Sequence, residues 1–417
     1  MKISLERTIG VLIPMSLAIY NLNWKLGAGF GALAILTLIT RGNHGVVQLN
    51  KSRFCRWWAL YLFLFAVIMQ ISRSYELTIS YVVGYLMICI LLFIGISQNS
   101  MNVLFNTLAT ISIVEAAGVY IQLLLPSVYY KIMGVLVADV TLQSITTRVS
   151  EGYYTGFARE VSLTVIFLIV GVGLAAVRLF KNKESLTRKQ KYKLIFRLIY
   201  LLVALLFTGK KAQPIFCLVA LMITYLVYSN TKYKYLKIAF IAIATILIYI
   251  FALPMLSSIP SVSRYLSLLQ NIQGGRDIAI VTSGRTEIYL TAIELWKSNK
   301  WFGIGWNNFK NAVPSTAWFS RFDVHNVYLQ VLCETGYIGA IPYYLLIIIS
   351  MVRILQAASR KKALSELFAF DIYYFFFFLF YSVTGTGLYE YSYYIIFFIA
   401  LLWGEQEIHN ILDFKHK

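Results

Sequence analysis

Charge is what this chain has least of. Only 13% of its 417 residues are Asp, Glu, Lys or Arg, 59% are hydrophobic, and the mean hydropathy is +0.70. A water-soluble domain carries about a quarter charged residues, so the composition excludes a chain with one core inside a solvated shell. Proline is scarce at 7, and glycine stands at 25, which excludes collagen-like and low-complexity sequence. The 4 cysteines, Cys55, Cys89, Cys217 and Cys333, share no paired spacing, which argues against a disulfide framework or a thiolate zinc site. No segment repeats at a fixed period. Acid is scarcer than base: 18 Asp and Glu stand against 37 Lys and Arg, a formal net charge of +19. On a soluble protein that excess suggests nucleic acid. Here it lies mostly in short loops between apolar runs, where it records membrane insertion, and no nucleic-acid partner is expected.

What is present is apolar sequence in runs. Spans are expected at about 8–22, 24–40, 57–71, 79–97, 102–125, 160–180, 194–209, 212–229, 238–256, 337–354, 367–383 and 388–404. The fold class is therefore an all-α polytopic membrane protein with about 12 transmembrane helices. The first run has no small-residue cleavage site followed by a soluble domain, so it reads as a retained span. Orientation follows from the short loops. One side holds Arg41, Lys51, Arg53 and Arg56, then the basic stretch from Lys181 to Lys193, then Lys232, Lys234 and Lys237, then Arg353, Arg360, Lys361 and Lys362. The other side holds Lys25, Arg73, Lys210 and Lys211. The first side is expected to be cytoplasmic, with both termini on it. Three regions result: residues 1–256 with spans 1 to 9 and an outer loop at 126–159; an extracytoplasmic loop at 257–336; and residues 337–417 with spans 10 to 12 and a cytoplasmic tail.

The outer loop at 257–336 is long and polar but rich in Trp, Phe, Tyr and Ile, which favours an ordered, helical, functional loop. Residues 284–298 read as an amphipathic helix with Ile288, Ala292, Leu295 and Trp296 on one face. Ser283 or Thr282 can cap its start. Arg285 then sits in the first turn, where the helix N-terminus already favours an anion and a guanidinium adds a bidentate phosphate ligand. The plainer alternative pairs Arg285 with Glu287 or a lipid headgroup. His325 is the one histidine on the outer side; His44, His409 and His416 map to the inner side. It is either a base working near neutral pH or an interfacial histidine. The stretch from Asn326 to Glu334 reads as helical, with Tyr328 and Leu329 on the face of His325. Gly303 and Gly305 suit a tight turn, and lack the third glycine of a dinucleotide fingerprint. Trp301, Trp306 and Trp318 suggest a loop resting on the headgroup layer, or stacking on sugar.

Outward cations add to this. Lys210 and Lys211 end a span, and Arg148 and Arg159 bracket Gly152-Tyr153-Tyr154-Thr155-Gly156. Each serves either a pyrophosphate or headgroup anchoring. Glu115 lies mid-span, a functional candidate by position or a carboxyl bonded to a neighbouring helix. No Asp-x-Asp or Walker motif appears, so no metal-held nucleotide sugar and no ATP are expected.

The pattern Ser283-Gly284-Arg285, Trp296, Gly303-x-Gly305-Trp306-Asn307-Asn308-Phe309, His325-Asn326-x-Tyr328-Leu329 and Glu334-x-Gly336 resembles the O-antigen ligase and Wzy-type polysaccharide polymerase family. The motifs cover about 55 residues, and the layout of spans around a large outer loop extends the likeness loosely over the chain. The resemblance implies a GT-C-like helical fold and a metal-independent, cofactor-free glycosyltransferase of the bacterial cytoplasmic membrane. It implies undecaprenyl-diphosphate-linked oligosaccharides as donor and acceptor, with membrane lipid and a chain-length regulator protein as further partners. It puts Arg285 on the donor diphosphate and His325 beside the acceptor hydroxyl. Lys210 or Lys211, and Arg148 or Arg159, would assist at the diphosphate, with Asn326, Tyr328, Glu334 and Trp306 in support. Where the family often has Ser-Arg, this chain has Gly209-Lys210-Lys211, which keeps the charge and loses the fork. The expected activity is repeat-unit polymerisation for O-antigen or capsule. The rivals are a ligase that moves finished glycan to another lipid or a protein, and a flippase for the same lipid-linked sugars.

Overall fold

The computed structural model describes residues 5–20, 22–41, 50, 52–73, 79–181, 186–228, 233, 235–236, 238–239, 255, 257, 259–264, 266, 284–359 and 365–413. Among these, every regular element is helical. In chain order they are α1 (Leu5–Tyr20), α2 (Trp24–Arg41), α3 (Arg53–Tyr61), a π-helical stretch (Leu62–Ile68), α4 (Met69–Arg73), α5 (Ile79–Ile94), α6 (Gln98–Leu124), α7 (Pro126–Leu136), α8 (Asp139–Ser150), α9 (Val161–Lys181), α10 (Arg188–Phe207) and α11 (Ala212–Tyr228). Then come α12 (Arg285–Ser298), α13 (Phe309–Ala312), α14 (Val327–Ser359), α15 (Glu366–Thr384) and α16 (Tyr391–Asp413). Among the described residues, five helices are long and apolar enough to cross a membrane: Arg53–Ser72, Gln98–Leu124, Val161–Phe180, Val327–Ser359 and Glu366–Thr384. Shorter apolar helices accompany them at Arg7–Tyr20, Lys25–Thr40, Tyr81–Ile94 and Ala212–Tyr228. The protein is thus an all-helical, membrane-embedded chain. The expected ninth span, 238–256, lies mostly outside the described residues.

Of the five long apolar helices the most enclosed is α9, which packs against α6, α10, α11 and α15. Its sequence is apolar all round, as a helix buried on every side must be. The aromatic run of α15 meets that of α16: Phe378 lies 4.0 Å from Phe397 and Tyr381 lies 4.5 Å from Tyr393, centroid to centroid, both stacked. Around this core the segment between α8 and α9 folds inward as non-helical backbone. Such backbone needs internal partners at membrane depth, and here it has them. Gln122 accepts the N–H groups of Thr155 (2.8 Å) and Gly156 (3.1 Å). Tyr129 donates to the Gly156 carbonyl at 2.5 Å. The carboxylate of Glu115 accepts Phe157 N–H at 3.2 Å. Glu115, open in the sequence between a functional role and a bond to its surroundings, holds this inward loop in place.

The loop side of α14 is joined to the bundle through a bend. Gly336 breaks the helix at φ 59°, ψ −164°. The amides just beyond it are taken up by the preceding loop: Tyr337 donates to the Lys300 carbonyl at 2.8 Å and Ile338 to that of Trp301 at 3.1 Å. Facing it, Gly303 has φ +63° and lies against the Glu334 backbone so closely that a β-carbon would collide with it. Gly303→Ala should therefore cost at least about 1–3 kcal/mol from backbone strain alone. It is expected to lower the melting temperature of the detergent-purified protein, where Ala substitution at exposed Lys297 should not.

Candidate active site

Four loops that alternation of the spans puts on one side do meet at one end of the bundle: those holding residues 148–160, 208–211, 284–326 and 384–390. Gly209, at φ +75°, presses on the Gly152 carbonyl, which leaves no room for a side chain. That contact brings Lys210 beside the inward loop, with its ammonium 5.8 Å from the Tyr153 ring centroid.

Helix α12 starts at Arg285, next to the expected boundary. Ile288 and Ala292 are buried, and Leu295 and Trp296 pack with them on Phe309, Val313, Phe319, Val324 and Cys333. The expected apolar face is the observed one. The N-cap position is Gly284, at φ 77°, with no side-chain cap; Thr282 and Ser283, expected as caps, lie outside the described residues. Arg285 does not pair with Glu287. The Glu287 carboxylate accepts the Trp318 indole N–H at 2.7 Å. Arg285 instead donates from Nη1 to the carbonyl of Thr384 at 2.8 Å, across 99 residues of chain. It is half-buried, and its guanidinium also acts on the Tyr289 hydroxyl.

His325 is not on the face of a helix, contrary to the sequence expectation. Helix α14 begins at Val327, and Asn326 caps it: the Leu329 N–H donates to Asn326 Oδ1 at 3.0 Å. His325 precedes the cap in left-handed backbone at φ 55°, a conformation that costs a non-glycine residue free energy and persists only when its surroundings hold it. They do: Gln330 accepts Val324 N–H at 3.3 Å and donates to Asp323 at 3.3 Å, and Tyr289 donates to the His325 carbonyl at 3.4 Å. Asp323, the neighbour that could have oriented the imidazole, is paired with Lys310 at 2.8 Å. Burial, and next the positive charge of Arg285, pull the His325 imidazole down to about 4; Lys210 and Lys310 act in the same direction, and Asp323 opposes them. The ring is neutral at physiological pH and free to take a proton.

The remaining candidates separate. Burial lowers the Lys210 ammonium, the charges of Arg148 and Arg285 add to this, and Glu390 counters it most strongly. Lys210 therefore belongs with Arg285 and Arg148. Lys211 is lowered by burial and by Arg264, on the flank. Arg159 sits 5.6 Å from the Tyr20 ring centroid, against α1. Glu334 is fully buried and organises the loop before it: its carboxylate accepts Asn307 N–H at 2.7 Å, Phe309 N–H at 3.2 Å and Gln330 Nε2 at 3.1 Å. Tyr328 donates to the Leu379 carbonyl at 3.1 Å, tying α14 to α15. Trp306 departs from the headgroup and sugar-stacking expectations. It is 0% exposed, stacked on Tyr389 at 5.0 Å and edge-on to Tyr85 at 5.7 Å. Trp301 and Trp318 are more than half exposed. Among the described residues, no three of His, Cys, Asp and Glu gather as metal ligands would.

Sequence reasoning missed the turn between α15 and α16. Thr384 holds Arg285, and Glu390 accepts hydrogen bonds from Tyr381 at 3.0 Å and from Thr386. The available signal was a lone carboxylate within Tyr389-Glu390-Tyr391, in a stretch otherwise without charge.

Residues 196–344 match the Wzy_C family model, O-antigen ligase. The match covers one domain-sized segment and not the whole chain. That segment contains Lys210, Lys211, Arg285, Trp306, His325, Asn326, Tyr328 and Glu334; Arg148, Arg159 and Glu390 lie outside the matched residues. No curated protein matches the chain. Chemically, the arrangement sets cations of a kind that suits a polyanion beside an unprotonated imidazole. Removing one cation should be felt by the other group. Arg285→Gln is expected to raise the His325 pKa from about 4 toward its ordinary value near 6.5. Diethyl pyrocarbonate modifies only neutral imidazole. The pH of half-modification at His325, followed by peptide mass spectrometry, should therefore move upward in the variant.

Proposed function

We propose that this protein is an inverting membrane glycosyltransferase that polymerises polysaccharide repeat units of the O-antigen or capsule kind. Its substrates would be glycans carried on undecaprenyl diphosphate, and it would work at the outer face of the bacterial cytoplasmic membrane. The observation that carries this reading is the gathering of Arg285, Lys210 and Arg148 around a site next to a neutral imidazole. The guanidinium of Arg285 and the ammonium of Lys210 hold the donor's diphosphate. The acceptor hydroxyl gives its proton to His325. Its oxygen bonds to the anomeric carbon from the face opposite the diphosphate, and the bond from that carbon to the phosphate oxygen breaks. The electron pair leaves with the lipid diphosphate, whose growing charge the cations stabilise. Breaking that bond drives the transfer, so no nucleotide is required. Arg148 is better placed to help than Arg159, because its charge acts on Lys210.

A second reading keeps this chemistry and changes the acceptor: a ligase that passes finished glycan to another lipid or a protein. The description of the matched domain favours it. A flippase fits less well, since it has no use for an imidazole base beside a diphosphate site.

Arg285→Ala and His325→Ala should each fold and lose product formation by about 100-fold or more. In vitro synthesis from two lipid-linked substrates measures this; normal product from either variant contradicts the assignment. Glycan profiles of a deletion strain separate the two acceptors. Arrest at one repeat unit marks a polymerase, and accumulation of long lipid-linked polymer marks a ligase.

A further inference from the structure

The turn from Thr384 to Glu390 holds one of the cations that the proposed mechanism uses and carries a carboxylate whose charge acts on the other. Its first carbonyl accepts from Arg285 Nη1 at 2.8 Å. Its last residue, Glu390, has one carboxylate oxygen fixed by the Tyr381 and Thr386 hydroxyls. The other oxygen, Oε2, is buried and makes no hydrogen bond. A buried carboxylate oxygen without a hydrogen-bond donor needs an opposite charge nearby. The cation acting most strongly on it is Lys210, and Glu390 is in turn the strongest acidic influence on Lys210.

We infer that Glu390 is a positioning residue: it is the counter-charge that keeps Lys210 an ammonium until the diphosphate of a lipid substrate takes over that role. Without it, Lys210 faces mostly like charge. Arg148 acts on it from α8 and Arg285 from α12, Lys211 beside it feels Arg264, and the His325 imidazole ahead of α14 is neutral. The groups of other kinds are Tyr153, whose ring lies 5.8 Å away, and Glu160 ahead of α9. The Tyr381 hydroxyl is occupied by Glu390 itself. Half-buried, with Glu390 replaced by an amide, Lys210 gives up its proton at lower pH and its hold on a diphosphate goes with it.

The idea rests on the proposed function only in taking a lipid diphosphate as ligand, so farnesyl diphosphate serves as the probe. Its affinity for the full-length detergent-purified chain would be followed toward alkaline pH in the unsubstituted protein, Glu390→Gln, Glu390→Asp and Glu390→Gln with Lys210→Arg. The probe's own ionisation is common to all and cancels. In Glu390→Gln the alkaline loss of affinity should move about 1–3 units lower in pH, the range an adjacent opposite charge commands. Lys210→Arg should restore the profile in that background, because a guanidinium does not deprotonate, and Glu390→Asp should shift it little. An unshifted Glu390→Gln profile overturns the role of Glu390 and leaves the proposed function standing. Absence of binding to the unsubstituted protein overturns both. Should Glu390→Gln fail to fold, Lys210→Arg alone decides: it should abolish the alkaline loss, and an unchanged loss overturns the proposal.

Discussion

Like charge brought together out of bulk water is the constraint on which this structure turns. Two cations about 8 Å apart repel by about 2 kcal/mol at an effective dielectric near 20. Arg148, Lys210 and Arg285 come from three parts of the chain and converge on one site. Something must hold them there. The Thr384 carbonyl holds Arg285, the Tyr153 ring lies beside Lys210, and Glu390 and Glu160 supply negative charge. Burial, and after it the same repulsion, depress His325 and leave it unprotonated. In the proposed function a diphosphate entering such a site would replace repulsion by attraction at each cation, with the neutral imidazole beside it.

The scaffold is built to resist that repulsion. Two of the non-helical segments at the site are fixed by buried polar side chains on helices. Glu115 and Gln122 on α6 hold the inward loop between Arg148 and Arg159. Glu334 and Gln330 on α14 hold the loop before His325. Two carboxylates that look like catalytic candidates in the sequence thus serve the backbone. Glycines at 152, 209 and 303 let segments approach where a β-carbon would not fit. Left-handed backbone at His325 and Asn307 shows that the site is held in a conformation the local sequence does not favour.

Much of this was legible in the chain because membrane insertion writes itself into hydropathy. The apolar runs within the described residues became helices, and the apolar face at Ile288, Ala292, Leu295 and Trp296 was the buried one. Arg285 and His325 could be singled out as candidates from residue type and loop position alone. What stayed hidden was tertiary. The bond from Arg285 to Thr384 spans 99 residues, and no local pattern encodes it. Trp306 read as an interfacial aromatic because tryptophan favours headgroups, yet a fully buried tryptophan has the same composition signal. The pairing of Lys210 rather than Lys211 with the cluster depends on which way a turn faces, and that is set by glycine contact with a different loop. Glu390 was overlooked because a single acid beside tyrosines carries no motif.

A cryo-electron microscopy structure of the protein with a glycan-linked undecaprenyl diphosphate tests the central claim most directly. The diphosphate should lie between Arg285 and Lys210, with His325 on the opposite side of the first sugar. Density for the diphosphate at the other end of the bundle, or a sugar whose anomeric carbon lies beyond the reach of His325 and one acceptor hydroxyl, would contradict it.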